Sequence, residues 1–93
     1  MSDASVRIPL AGRIDANNAA AVEAEVRSRL AGRAPCPLIL DAEKLEYISS
    51  AGLRVLLRLK KAWPELTLTG VGPQVYEILE TTGFVGLCDV ERE

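Results

Sequence analysis

Apolar residues first fall at every second position. Val6, Ile8 and Leu10 alternate with Arg7 and Pro9, the period of a strand with one face buried. Pro9 has no N–H to give to a ladder, which predicts a sheet edge or a break there, and Gly12 and Asp15 end the run. The period then lengthens. Ala19, Val22, Val26 and Leu30 recur at helical spacing as far as Gly32, after residues 15–18, where Asp15, Asn17 and Asn18 all suit an N-cap. Glu23 with Arg27 and Glu25 with Arg29 stand four apart with the acid first, the favourable order on a solvated helix face.

Pro35 and Pro37 frame a turn into Leu38, Ile39 and Leu40, a short unbroken apolar run of the kind buried on both sides of a sheet, and Asp41 is expected to close it. A loop through Leu45 and Ile48 leads to Ser49 and Ser50. Leu53, Leu56, Leu57 and Trp63 predict a second amphipathic helix stopped by Pro64, and residues 66–69 read as a third strand. Gly72 and Pro73 suit the start of a third helix with Val75, Ile78 and Leu79 as its apolar stripe and Gly83 at C′; residues 84–90 are expected to form a last strand.

Strands alternating with helices predict an α/β domain with right-handed crossovers and a mainly parallel or mixed four-stranded sheet. With only 93 residues there is too little chain to cover both faces, so about three helices should pack mostly on one. One domain is expected over residues 1–93, with a short N-terminal tail at residues 1–5.

Composition narrows the function. Hydrophobic residues make up 48% of the chain and charged ones 26%, the balance of a folded globular protein. Eleven basic against thirteen acidic side chains give a net charge of −2, so no basic field is present to hold a phosphate backbone and nucleic acid is not an expected partner. The absence of histidine removes the usual general base, the usual zinc ligand and the Ser/His and Cys/His nucleophile pairs. No metal, cofactor or catalytic residue is expected, and nothing completes an acid/base pair for Asp15 or Asp41.

No apolar stretch approaches the ~20 residues of a membrane helix and no export leader is evident, which predicts a cytoplasmic protein without a membrane partner. Cys36 and Cys88 lie far apart and are expected to be reduced thiols packed as small hydrophobes. Gly70 and Gly72 lack the third glycine and later acid of a dinucleotide fingerprint, and no P-loop occurs, so any ATP chemistry must come from another protein.

The segment Tyr47, Ile48, Ser49, Ser50, Ala51, Gly52, Leu53, Arg54, Val55, Leu56, Leu57, following a buried strand and Asp41, resembles the signature of the STAS family, the anti-sigma factor antagonists. The resemblance extends to Gly12, Arg13, Ile14 and Asp15 before the first helix and to Val71, Gly72, Pro73, Val75, Tyr76, Ile78, Leu79, Thr82, Gly83 and Phe84 near the end, so it covers nearly the whole chain. It implies a protein-binding switch rather than an enzyme. The family's phosphorylation site is the serine two places before the helix glycine, here Ser50. The resemblance further implies that a GHKL-type serine kinase that doubles as the anti-sigma factor binds the unmodified form, that phosphorylation releases it, and that a PP2C-type serine phosphatase resets the cycle.

The same resemblance implies a partner-binding face made of Asp15, Ser49, Ser50, Ala51, Gly52, Arg54 and Arg58. Many members carry an acidic residue where this chain has Ser49, which makes Ser49 a second, weaker candidate acceptor. The residues themselves leave alternatives: either serine suits an N-cap, and the stripe Arg54, Arg58, Lys61 suits a solvated face as well as an acidic partner. The chain is expected to lack the family's first strand and the C-terminal helix of longer members. The sheet edge left open could pair with a partner or a second copy, so a monomer or weak dimer is expected. A second reading, of a different class, is a non-phosphorylated STAS adaptor subunit in a transporter or sensory complex.

Overall fold

The computed structural model describes residues 5–32 and 36–93; Pro35 of the expected turn and all but Ser5 of the expected tail lie outside them. Strands β1 (Val6–Ile14), β2 (Leu38–Ile48), β3 (Thr67–Val71) and β4 (Asp89–Arg92) alternate with helices α1 (Ala19–Leu30), α2 (Ser50–Ala62) and α3 (Pro73–Thr81). The sheet order is β1-β2-β3-β4 and every neighbouring pair is parallel. Each crossover steps one strand in the same direction, so right-handed connections send all three helices to one face. Burial follows that geometry. Ile8, Leu10 and Ile14 of β1, Leu38, Leu40 and Ala42 of β2 and Leu68 of β3 are buried with Val26, Val55, Leu56, Leu59 and Leu79 of the helices, whereas Arg7, Pro9 and Asp41 on the alternate positions keep contact with solvent.

Pro9 lies on an edge strand, as its missing donor requires. Val6 N–H donates to Pro37 O at 3.0 Å, and the alternation of the strand turns Ile8 the same way. Pro9 is therefore on the outward side, where it removes a donor from the open edge without costing a ladder bond.

Two expected boundaries are corrected. Asp41 does not close β2, which runs on to Ile48 through the segment expected as a loop. The pairing shows why: Val6 stands opposite Leu38 and Ile14 opposite Ile48, with register shifts between Pro9 and Ala11 and between Gly12 and Arg13. Two extra residues of β2 are accommodated as bulges, so its buried positions pass from Ala42 to Leu45 to Ile48 in steps of three, and the period of two disappears. The last strand is also shorter than residues 84–90. Gly83, with φ 79, ends α3 at C′ as expected, but Phe84–Gly86 then forms a 3-10 turn that buries Phe84, and the strand begins at Asp89.

Candidate functional site

Parallel strands place the C-terminal ends of β1 and β2 side by side, so the loops that follow them share one end of the sheet. Open α/β sheets present their ligand-facing loops there. The two loops are joined directly, because Ser49 N–H donates to Ile14 O at 2.8 Å.

The adjacent serines differ. Ser49 has extended backbone and its Oγ accepts the N–H of Gly52 at 3.3 Å, which makes it the N-cap of α2. Its main-chain carbonyl accepts Leu53 N–H at 2.9 Å and starts the helical ladder. Ser50 is the first helical residue; it is exposed, and among the described residues its hydroxyl has no hydrogen-bond partner. Capping, which either serine could have supplied, falls to Ser49 alone.

Gly52 follows from the closeness of that first turn to the sheet. A Cβ at this position would lie 2.6 Å from Ile48 Cγ1 and 2.9 Å from Ile14 Cγ2, both on buried side chains. Glycine lets α2 start directly on the ends of β1 and β2, and this fixes where Ser50 stands.

The β1–α1 turn is closed by its own side chains. Asp15 N–H donates to Asn18 Oδ1 at 2.8 Å, Asn18 Nδ2 to Arg13 O at 2.7 Å, and Asn17 N–H to an Asp15 carboxylate oxygen at 2.9 Å. Asn18 occupies the N-cap position of α1 without a side-chain cap bond, since its amide is used to close this turn. The bond from Ser49 N–H to Ile14 O sets this turn next to the start of α2. Arg13 and Tyr47, opposite each other in the β1–β2 register, stack at the same end with the guanidinium carbon 4.5 Å from the ring centroid. Sequence reasoning gave this pair no role, because meeting across the sheet depends on a register set by two bulges.

The cationic stripe of α2 divides. Arg54, one turn beyond Ser50, is exposed and has no ion-pair partner among the described residues, whereas Arg58 Nη2 donates to Glu23 Oε1 on α1 at 2.7 Å. Glu23 also pairs with Arg27 of its own helix at 3.0 Å, and Arg27 lies over the Trp63 ring. The Arg58 hydrogen bond, with a smaller contribution from Arg27, outweighs partial burial and holds the Glu23 carboxyl below its ordinary 4.5; the same bond raises Arg58. Arg58 is thus committed to the α1–α2 contact.

Asp41 is elsewhere. It accepts Glu43 N–H at 3.0 Å and pairs with Arg7 at 3.2 Å; the backbone bond first, then Arg7, lowers its carboxyl. Its register partner Pro9 stands six residues before Asp15, roughly 20 Å along the strand, so the two aspartates share no site.

A family model described as "Mlab, STAS domain" matches residues 1–89. The chain is also 36% identical over 85 residues to a Bordetella bronchiseptica protein named "Putative anti-sigma factor antagonist BtrV", an alignment that covers 87% of this chain and 72% of that protein. No helix among the described residues is long and apolar enough to cross a membrane. The matched span takes in both loops at the strand ends and all three helices, and the chain belongs to the STAS domain family.

Proposed function

We propose that this chain is an anti-sigma factor antagonist that works by partner switching, with Ser50 as the phosphorylation site. One observation carries the reading: at the joined ends of β1 and β2, the hydroxyl of Ser50 is exposed and unbonded while that of Ser49 is used as a cap. A GHKL-type serine kinase that is also the anti-sigma factor docks on the surface formed by Asp15, Ser49, Ser50, Ala51, Gly52 and Arg54, with Arg58 at its margin. It transfers a phosphoryl group from ATP to Ser50 Oγ. Phosphate adds about −1.5 to −2 charge to a surface that must be desolvated against the partner, and the partner leaves; a PP2C-type phosphatase restores the hydroxyl. One domain over residues 1–93 carries the acceptor, and the chemistry of transfer belongs to the kinase.

The relative's printed name favours this reading. The family model's description names a STAS domain and no antagonist, which leaves the second reading of the sequence in place: an adaptor, not phosphorylated, within a transporter or sensory complex. Purifying the tagged protein from its own host distinguishes the two. Recovery of a GHKL-type kinase, with phosphate mapped to Ser50 by mass spectrometry, is the expected result; recovery of a transporter ATPase and an unmodified chain would replace the first reading by the second.

A further inference from the structure

All but one of the described arginines are engaged. Arg7 pairs with Asp41, Arg27 and Arg58 with Glu23, and Arg29 with Glu25, while Arg13 and Arg92 lie over the rings of Tyr47 and Tyr76. Among the described residues the exposed Arg54 has neither an acid nor a ring as partner. The reason lies in the helix spacing. On α1, Arg27 and Arg29 each have a glutamate four positions earlier, and both pairs close, at 3.0 and 2.8 Å. Four positions before Arg54 on α2 stands Ser50, three before stands Ala51, and four after stands Arg58, a like charge.

We infer that Arg54 is the positioning residue for a phosphate on Ser50, the phosphoserine supplying the acid that this i, i+4 pair otherwise lacks. Side chains on a helix lean toward its N-terminus, so the Arg54 side chain extends over the turn that carries Ser50. The acid-before-arginine order is the favourable one. The other arginine of α2 and its last lysine do not compete: Arg58 is held by Glu23, and Lys61 is eleven positions from Ser50, roughly 16 Å along the axis. Ser49 is a poorer partner for Arg54, since it stands five positions away and its oxygen caps Gly52.

The inference rests on Ser50 as the switch residue and adds how the switch acts. In the unmodified protein Arg54 is free to meet an acidic group of the partner. In the modified protein it folds back onto its own helix, so one phosphate both adds negative charge to the face and withdraws its available cation.

The test needs no kinase. Phosphoserine is installed at residue 50 by genetic code expansion and its second ionisation, ordinarily near pH 6, is followed by phosphorus NMR. We expect the midpoint below that of phosphoserine installed at residue 49. Arg54→Gln should move the residue-50 midpoint up by about 0.2 to 0.4 pH unit, with Arg54→Lys in between and the residue-49 midpoint unmoved. Raising the salt should shrink the difference. Arg54 is exposed and makes no ion pair or ring contact among the described residues, so both variants should keep the parent circular dichroism. Equal residue-50 midpoints with and without Arg54 would overturn the inference. That result beside intact phosphate-dependent release from the kinase would reject Arg54 and leave the Ser50 switch standing; a shifted midpoint in a protein that its own kinase never modifies would do the reverse.

Discussion

The first turn of α2 separates two tasks between neighbouring serines, one holding the helix end and one left to solvent. Ser49→Ala removes the acceptor for Gly52 N–H and should destabilise the fold by about 0.5 to 2 kcal/mol in urea titration. Ser50→Ala removes an unbonded exposed hydroxyl and should stay within about 0.5 kcal/mol of the parent. The reverse order of these two effects would show that the capping assignment is wrong. Gly52→Ala tests the close approach of helix to sheet. Its methyl would press on Ile48 and Ile14, and a loss of about 1 to 3 kcal/mol is expected, against the gain that alanine brings to an open helix position. Candidate residues were legible at this scale, whereas the division of labour between them was not. Serine at two adjacent positions suits the cap equally in sequence, and only the extended backbone of Ser49 decides which oxygen turns inward.

Between elements, α1 and α2 are joined by the cluster of Glu23, Arg27, Arg58 and Trp63. The folded protein holds the Glu23 carboxyl below its unfolded value of 4.5, so its contribution to stability is full above that pH and is lost as pH falls through the folded value. Urea midpoints of the parent and Glu23→Gln should therefore differ at pH 7 and converge in acid below the folded titration; a difference that persists unchanged there would show that the carboxylate charge is not what matters. Helices were the most legible elements, because Leu53, Leu56, Val75 and Leu79 repeat at a spacing that packing does not alter. The strand β2 was the least legible. Its two bulges break the alternation after Ala42, and Glu43, Lys44 and Glu46 then give the far half the polarity of a loop. The pairing of Arg58 was not legible for a related reason: Glu23 lies 35 positions away and reaches it only once the crossover has packed α1 on α2.

For the whole molecule, the one-way strand order leaves a sheet covered on one face and brings the β1–α1 and β2–α2 loops to one end. Parallel pairing and right-handed crossovers were enough to anticipate the sheet and its one covered face, whereas the nearness of the two loops came only from the family resemblance. The covered face also governs the thiols. Burial pushes the Cys88 thiol up to about 11, whereas Cys36 is only partly covered, so at pH 8 a disulfide reagent should titrate Cys36 in the native protein and Cys88 only after unfolding. Two thiols reacting at equal native rates would contradict the burial of Cys88 just before β4.

The serine at residue 50 is where sequence, fold and proposed function meet. The most direct measurement is the affinity of the co-purified kinase for two otherwise identical chains, one carrying serine and the other phosphoserine at residue 50. The switch requires binding to weaken at least about tenfold on phosphorylation while circular dichroism stays unchanged. Equal affinity of the two folded forms would contradict it.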